Sequence, residues 1–275
     1  MSIAQSATIH RTADISPGAV IRNGASVGPF SVIGPDVVLG ENVVVKSHAV
    51  ITGWTEIGDD TIVFPFACVG EIPQDLKYQG EKTRLVVGRR NRIREGATLN
   101  GGTRLGGGVT RVGNDCLFMT GTHVGHDCSV GDSVIMANHA SLGGHCVIGD
   151  NVIIGGLSGV HQFVRIGKGA IIGAVTMVRR DVIPHGFVQG PAGGLEGVNL
   201  VGLRRRGADS ADIRNLRGAY NELAESDRPM AEKILDLQES GNRGRLVDDL
   251  IEFVREDTGR SLLRPTRRVH DDSPG

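Results

Sequence analysis

The sequence predicts an all-β solenoid, a parallel β-helix built from hexapeptide repeats, with a C-terminal α-helical domain. Aliphatic residues recur at every sixth position, and a small or β-branched residue usually stands two positions before each of them. A six-residue period fits neither an α-helix nor an isolated amphipathic strand, whereas it suits a coil whose flat sides are one hexad each. With three sides to a coil, successive coils stack at ~4.8 Å, the spacing of neighbouring hydrogen-bonded strands.

The repeat runs in two blocks that together predict about ten coils over residues 1–186. The first block holds its phase through Ile3, Ile9, Ile15, Ile21, Val27, Ile33, Leu39, Val45, Ile51, Ile57, Val63 and Val69. The phase returns in Val87, Ile93 and Leu99 and then, after a one-residue slip, in Val112, Phe118, Val124, Val130, Met136, Leu142, Ile148, Ile154, Val160, Ile166, Ile172 and Val178. The gap, 71–86, is therefore predicted to be one coil's worth of residues looped outward, and Gly-rich 101–111 is predicted to be a second outward loop.

The period ends at Pro184, and residues 187–275 are predicted to form a helical domain that covers the open edge of the last coil. Ser210 is the expected N-cap of a first helix. Its apolar face is formed by Ile213, Leu216, Tyr220 and Leu223. Pro229 suits the first turn of a second helix. A third helix is marked by Leu246, Leu250, Phe253 and Val254.

The composition suits a narrow aliphatic column and argues against several classes of partner. Of 275 residues, 39% are hydrophobic but only 4% are aromatic, and 41 are Gly. A net charge of −1 implies no nucleic-acid partner. No apolar run reaches the ~18 residues of a membrane span. The N-terminus is in phase with the repeat and lacks the charged and apolar regions of a signal peptide, so we expect a cytoplasmic protein. We expect no cofactor.

The four cysteines are expected to be buried small hydrophobes in a reducing compartment. Cys116, Cys128 and Cys146 occupy the small inward position of the repeat, and Cys68 is the fourth. The paired spacing typical of a thiolate metal site is absent, so no metal site is predicted from them.

Five of the nine histidines fall in four successive coils, at positions predicted to point outward: His123, His126, His139, His145 and His161. His126 is followed by Asp127, and the repeat places Gly144 and Gln162 one and two coils above it. A histidine beside a carboxylate suits a general base, because the carboxylate orients the ring and stabilises the imidazolium. Solvated surface histidines are the alternative. A three-histidine zinc site on a β-helix is a further one, although the spacing does not match that ligand pattern.

The flat walls of such a column are convex and supply no pocket on their own. A cleft then requires two columns packed together, with the loop 71–86 arching over a neighbour's wall. The three-sided prism therefore suggests a homotrimer with sites at the seams.

The motifs outside the repeat resemble one family, the acyl-carrier-protein–UDP-N-acetylglucosamine O-acyltransferases. They are Val69-Gly-Glu-Ile-Pro-Gln-Asp-Leu-Lys-Tyr78, Gly88-x-x-Asn91-Arg-Ile-Arg-Glu95, His123-Val-Gly-His-Asp-Cys128, Gly144-His145, Val160-His-Gln-Phe163 and Val198-Asn-x-x-Gly-Leu-x-Arg-Arg-Gly207. The resemblance covers residues 1 to about 225. It implies that the β-helix is left-handed.

The resemblance also implies a function, the first step of lipid A synthesis. A (R)-3-hydroxyacyl group would pass from acyl carrier protein to the 3-position of UDP-N-acetylglucosamine. In that reaction His126 would be the general base, Asp127 its orienting partner and Gly144 the oxyanion donor. The sugar and acyl path would be lined by Gln74, Asp75, Lys77, His123, His145, His161 and Gln162. The nucleotide end would be held by Asn199, Arg205 and Arg206.

Two positions bear on substrate choice within that family. The family commonly reads His-Arg-Gly-Thr where this chain reads Asn100-Gly-Gly-Thr103, so a 3-amino UDP-sugar is an alternative acceptor. Ala174 stands where family members vary in size and where acyl length is limited.

Hexapeptide repeats also occur outside this family, so a different hexapeptide acyltransferase and a non-catalytic scaffold stay open. The related N-acyltransferase carries an N-terminal uridine domain that we do not expect here, since the repeat begins at Ile3. Acetyl-coenzyme A-dependent relatives lack the Gln74–Lys77 motif. A scaffold would give no reason for His126 to stand beside Asp127.

Overall fold

The computed structural model describes residues 2–224, 228–241, 243–256 and 259–266. The predicted parallel β-helix is confirmed, and α-helices follow it. Residues 267–275 of the predicted C-terminal domain lie outside the described residues.

The β-helix is built almost entirely of two-residue strands, each forming the middle of one hexad. In chain order they are β1 (Ser2–Ile3), β2 (Thr8–Ile9), β3 (Asp14–Ile15), β4 (Val20–Ile21), β5 (Ser26–Val27), β6 (Val32–Ile33), β7 (Val38–Leu39), β8 (Val44–Val45), β9 (Val50–Ile51), β10 (Trp54–Ile57), β11 (Ile62–Val63), β12 (Cys68–Glu71), β13 (Arg84–Val87), β14 (Arg92–Ile93), β15 (Thr98–Asn100), β16 (Val109–Val112), β17 (Leu117–Phe118), β18 (His123–Val124), β19 (Ser129–Val130), β20 (Ile135–Met136), β21 (Ser141–Leu142), β22 (Val147–Ile148), β23 (Ile153–Ile154), β24 (Gly159–Val160), β25 (Arg165–Ile166), β26 (Ile171–Ile172), β27 (Met177–Val178), β28 (Gly186–Gln189) and β29 (Gly194–Val198).

Every third strand belongs to the same sheet, so the prism has three walls, A, B and C. Wall A contains nine strands from β1 to β25, and wall C contains nine from β3 to β27. Wall B runs from β2 to β26 and continues into β28 and β29, which pair antiparallel with each other. The described residues thus form nine complete coils and an incomplete tenth, as the repeat predicted.

Two coils are longer than the 18-residue repeat, and both carry outward loops. Ile57 pairs with Val87, 30 residues on, and Val87 pairs with Val112, 25 residues on, so these coils contain 12 and 7 extra residues. The first loop, 72–83, therefore adds two hexads' worth of residues, and the prediction of a whole looped-out coil was wrong. The second, 101–108, includes a 3₁₀ turn at Arg104–Gly106.

The inside of the prism is a dry aliphatic column. The repeat aliphatics from Ile21 to Val178 are buried, and so are the small residues two positions before them, including Cys116, Cys128 and Cys146. All four cysteines are free thiols, as expected from the sequence.

Each hexad ends in a turn whose two corner residues have different roles. The coil does not need a hydrogen bond from the backbone N–H of the first corner residue. Proline, which has no N–H group, occupies this position at Pro17, Pro29, Pro35 and Pro65. The second corner residue is left-handed in most hexads, with φ of 58° at Asp127, for example. His126 and Gly144 are first-corner residues, so their N–H groups are available for other partners.

Four helices follow the β-helix: α1 (Leu200–Arg205), α2 (Ser210–Ala224), α3 (Met230–Glu239) and α4 (Arg245–Arg255). The predicted apolar face of α2 is buried. Its first N–H groups are capped by Asp209, whose Oδ1 accepts from Ala211 at 2.7 Å, so the prediction of Ser210 as the cap was wrong by one residue. Pro229 directly precedes α3 instead of lying in its first turn. None of the described helices is long and apolar enough to cross a membrane.

Charged side chains join the last coils to α4. Arg165 Nη1 donates to Glu256 Oε2, directly after α4, at 3.0 Å, and Lys168 Nζ donates to Asp249 Oδ1 at 2.6 Å. His185 is 5% exposed beside this second pair, with Nε2 3.7 Å from Asp249 Oδ2. Burial and, next, the charge of Arg206 lower the pKa of His185 from its ordinary 6.5 to about 4, although Asp249 opposes the shift.

This neutral buried histidine predicts an acid-sensitive fold. Between pH 6.5 and about 4 the unfolded chain binds a proton at His185 that the folded chain does not, so the free energy of unfolding falls as the pH falls through this window. His185→Gln should lose less Tm than the wild type between about pH 7.5 and about pH 5. The same substitution at exposed His10 is the control, and equal Tm losses in all three proteins would contradict the assignment.

Candidate active site

A groove of about 570 Å³ runs along wall C, where β18, β21 and β24 stack. Its walls include His123, His126, Gly144, His161 and Gln162, all of them predicted site residues. Gln74 from the first outward loop and Asn100 close one side, and Met177 lies at the far end. The fold thus brings together residues that are up to 103 positions apart in the chain, from Gln74 to Met177.

His126 is held by the carboxylate that follows it in the sequence. Its Nδ1 lies 2.8 Å from Asp127 Oδ2, and the residue is only 9% exposed. Because an ionised carboxylate only accepts hydrogen bonds, Nδ1 is the donor of this bond, and in the neutral form of the ring Nε2 has the free lone pair. Nε2 is on the ring edge that lies against Gly144. The arrangement is that of a neutral imidazole oriented as a proton acceptor.

Asp127 is fixed in turn by the second outward loop, which the sequence linked to the choice of acceptor but not to Asp127. Its side chain is fully buried, with Oδ1 accepting from Thr103 N at 2.8 Å and Oδ2 from Thr103 Oγ1 at 2.7 Å. Thr110 Oγ1 accepts from the Asp127 N–H at 2.8 Å. A buried carboxylate needs such donors, and the loop 101–108 supplies two of them to Asp127. The Gly-Gly-Thr sequence of that loop was the only available signal.

Gly144 lies against the His126 ring so closely that no larger residue fits. A Cβ added to Gly144 would be 2.5 Å from His126 Cε1 and 2.6 Å from Nε2. Within the described residues no group accepts a hydrogen bond from the Gly144 N–H. The equivalent N–H groups of Glu41 and Asp132 do bind carboxylates, those of Asp59 and Asp150, each at 2.8 Å. A first-corner N–H of this fold can therefore bind an oxygen anion, and the one beside His126 is free.

Two further histidines, His123 in the groove and His145 behind His126, have pKa values that burial lowers. Burial and, to a lesser extent, His126 lower the pKa of His123, whose Nδ1 lies 2.8 Å from Thr98 Oγ1. Burial also lowers the pKa of His145, although the Asp127 carboxylate opposes this shift. The His145 ring meets His126 edge-on and stacks on Phe163 with centroids 4.3 Å apart. His145 thus packs behind His126.

The ligand atoms of His126, Asp127 and His145 lie within 4.8 Å of one another and are the candidate metal ligands of the described residues. The Asp127 carboxylate, however, already accepts two hydrogen bonds from Thr103 and one from His126 Nδ1. A metal ion would have to displace these donors. The geometry therefore favours a hydrogen-bonded dyad over a metal centre.

Asn100 supplies an acceptor at the edge of the groove. Its Nδ2 donates to Glu71 O at 3.3 Å and to Ile72 O at 3.0 Å, which fixes the amide orientation. Its Oδ1 is buried and has no partner among the described residues. A donor on a bound molecule would satisfy this oxygen.

The remaining predicted residues lie outside the groove. Asp75 and Lys77 line a separate pocket between the two outward loops. Ala174 is exposed at the corner that precedes Met177. Asn199 caps α1, with Oδ1 accepting from Gly202 N at 2.9 Å, while Arg205 and Arg206 lie at the end of this helix and are exposed. One chain does not bring these residues to His126.

Comparison with protein families gives two matches. The model described as bacterial transferase hexapeptide (six repeats) matches residues 18–53 and 145–180. The model described as UDP-N-acetylglucosamine O-acyltransferase, domain 2, matches residues 181–263. With the stacked parallel strands, the hexapeptide matches confirm the predicted left-handed sense of the β-helix.

Several similar proteins and solved structures carry the name of one enzyme. The acyl-[acyl-carrier-protein]–UDP-N-acetylglucosamine O-acyltransferase of Caulobacter vibrioides is 50% identical over 95% of this chain and 100% of its own length. That of Paracoccus denitrificans is 56% identical over 74% of this chain and 77% of its own length. The solved UDP-N-acetylglucosamine O-acyltransferase of Moraxella catarrhalis is 38% identical, with a TM-score of 0.88 over 93% of this chain and 99% of that one.

The close approach at Gly144 predicts that a single methyl group disrupts the dyad. Gly144→Ala should displace the His126 ring and lengthen its hydrogen bond to Asp127, which a crystal structure of the variant would measure. Gly156→Ala is the matched control, because Gly156 is also a first-corner residue but its added Cβ would be no closer than 3.2 Å to any atom. An unchanged His126 ring in Gly144→Ala would contradict the packing described here.

Proposed function

The chain belongs to the acyl-[acyl-carrier-protein]–UDP-N-acetylglucosamine O-acyltransferase family, and we propose that His126 is the general base of its reaction. The enzyme moves an acyl group from acyl carrier protein to UDP-N-acetylglucosamine, the first step of lipid A biosynthesis. The observation that supports the proposal for His126 is the buried hydrogen bond between Nδ1 and Asp127, which leaves Nε2 as a proton acceptor in the groove.

In the proposed reaction the sugar 3-hydroxyl gives its proton to His126 Nε2 as its oxygen attacks the thioester carbonyl carbon. The Asp127 carboxylate stabilises the imidazolium that forms, and the Gly144 N–H donates to the carbonyl oxygen as it becomes an oxyanion. The carbon–sulfur bond then breaks, and the imidazolium returns the proton to the departing thiolate. The products are the sugar ester and the free carrier thiol, and His126 is neutral again.

The other substrate groups are assigned to residues around the groove. Gln74, His123, His161 and Gln162 are proposed to contact the sugar and the acyl chain, with Asp75, Lys77 and His145 nearby. The nucleotide diphosphate is proposed to bind Arg205 and Arg206, whose helix is capped by Asn199. Ala174, at the corner that precedes Met177, is proposed to limit acyl length. The transferred (R)-3-hydroxyacyl chain would then run along the Met177 end of the wall.

The carrier is proposed to dock on the basic start of the helical region. Arg204, Arg205 and Arg214 are exposed there, and opposite charges would steer an acidic carrier toward them. A cytoplasmic location is part of the same proposal, because three of the four free thiols are buried, as suits a reducing compartment.

The assay that tests the base compares His126→Ala with the wild type in acyl transfer. Loss of a general base should lower kcat by at least ~10²-fold without a change in Tm. His139→Ala is the control, because this histidine belongs to the same cluster but lies outside the groove. A His126→Ala variant that keeps more than about a tenth of wild-type kcat would refute the assignment. The assay should offer UDP-N-acetylglucosamine and its 3-amino analogue, since a preference for the analogue would correct the acceptor.

The enzyme is also proposed to be a homotrimer, because one corner of the prism exposes apolar residues at a backbone cost. Phe30, Phe66, Leu157 and Val175 are 58%, 66%, 67% and 59% exposed, and all lie on the corner between walls B and C. Their φ values are positive, between 56° and 64°, a conformation that bulky side chains rarely adopt. Burial against a second copy would offset both the exposure and the strain.

This apolar corner predicts the outcome of a polar substitution. The double substitution Phe66→Asn and Leu157→Asn replaces two exposed apolar side chains with asparagine, a residue that tolerates positive φ. The fold should therefore persist, while the trimer should dissociate because its apolar contact is lost. Light scattering should then give 29.1 kDa in place of three times that mass, with loss of turnover. Ser133→Asn, at the equivalent turn position on another corner, should stay trimeric and active. A wild type that is monomeric and active would contradict the proposal.

A further inference from the structure

We propose that Cys128 is a positioning residue for the acyl transfer, whose thiol orients the Gly143–Gly144 peptide so that the Gly144 N–H faces the groove. The inference rests on the proposed function, in which that N–H binds the oxyanion. Cys128 lies in the inner column and touches no substrate, so it would act on the reaction through the Gly143–Gly144 peptide.

The thiol is the single internal donor to this peptide. Cys128 is 1% exposed, and its Sγ donates to the Gly143 carbonyl oxygen at 3.1 Å. Among the described residues no backbone N–H donates to that oxygen. One coil later the equivalent backbone carbonyl oxygen, that of His161, accepts two hydrogen bonds, one from the Cys146 thiol and one from the Val164 N–H. The Gly143 carbonyl therefore depends on Cys128 alone.

Orientation of the carbonyl fixes the N–H of the same peptide. A peptide unit is planar and trans, so its C=O and N–H point in opposite directions. With the Gly143 oxygen drawn into the column by Cys128, the Gly144 N–H is directed outward, on the residue whose added Cβ would lie 2.6 Å from His126 Nε2. Because neither glycine has a side chain to restrain the unit, a carbonyl without its donor can tilt.

The chain contains a second copy of this device in which the outward N–H already binds an anion. Cys116 Sγ donates to the Gly131 carbonyl at 3.2 Å, and the next N–H, that of Asp132, donates to Asp150 Oδ1 at 2.8 Å. The Gly131–Asp132 peptide unit thus accepts a hydrogen bond from a thiol on the inside of the column and donates one to a carboxylate on the outside. At Gly144 the same arrangement has the thiol inside and an open groove outside.

Cys128 acts as a donor and not as a nucleophile. The neighbouring Cys146 thiol and burial raise the pKa of Cys128 well above its usual range, so the group stays a protonated S–H. Serine does the same work elsewhere in the column: Ser31 Oγ donates to Lys46 O at 2.7 Å and Ser158 Oγ to Gly173 O at 2.8 Å. Valine fills the same position without a donor at Val134 and Val152, both fully buried.

Serine and valine, which occupy the equivalent position in other coils, are therefore the substitutions to test at Cys128. The assay is steady-state acyl transfer, with kcat and the KM of each substrate determined separately. Cys128→Val and Cys128→Ala remove the donor and should lower kcat about 10- to 100-fold, with each KM within about threefold of wild type, since the oxyanion forms only in the transition state. Cys128→Ser restores a donor and should recover kcat to within about threefold of wild type. Cys116→Val removes the equivalent donor far from the groove and should leave kcat unchanged.

Two results would overturn the role of Cys128: a Cys128→Val kcat within about twofold of wild type, or a Cys128→Ser variant as slow as Cys128→Val at equal Tm. His126→Ala in the same assay separates this inference from the proposed function. If His126→Ala is inactive while Cys128→Val is not, only the positioning role fails. If His126→Ala is fully active, the proposed base fails whatever the cysteine variants do.

Discussion

The whole molecule depends on one constraint, that each hexad must place an aliphatic side chain in the column and then turn a corner. The turn puts the second corner residue in the left-handed region and leaves the first corner N–H without a coil partner. Because coils stack in register, first-corner residues of one edge form a vertical row. His126, Gly144 and Gln162 are three successive members of one such row. The proposed chemistry is thus a local variation of the turn that builds the fold.

The dyad also requires something that the regular coil cannot supply. A carboxylate with no exposed surface is unfavourable unless donors surround it, and the regular wall offers the Asp127 carboxylate the hydrogen bond from His126 Nδ1. Both further donors come from Thr103, in the seven-residue insertion of the coil below. The insertion therefore satisfies the buried carboxylate of Asp127, which in turn orients the His126 ring through Nδ1.

Sequence periodicity predicted what the repeat controls and missed what departs from it. Phase alone placed Gly144 directly above His126 and the three cysteines in the column, because an 18-residue stack leaves no freedom there. Thr103 could not be predicted, since a loop outside the repeat has no register that fixes which side chain it lays on the wall. The pairing of Ile57 with Val87 likewise showed an insertion of 12 residues, which the phase could not distinguish from 18 because both are multiples of six.

The central claim is that Asp127 holds His126 with its proton on Nδ1 and its lone pair on Nε2. Nitrogen-15 NMR of histidine-labelled enzyme measures this directly, because protonated and unprotonated ring nitrogens have well-separated shifts. We predict an unprotonated Nε2 and a protonated Nδ1 for His126 near neutral pH, with the opposite tautomer gaining population in Asp127→Asn. A wild-type His126 with its proton on Nε2 would contradict the account, since that nitrogen could not then accept the proton of the sugar hydroxyl.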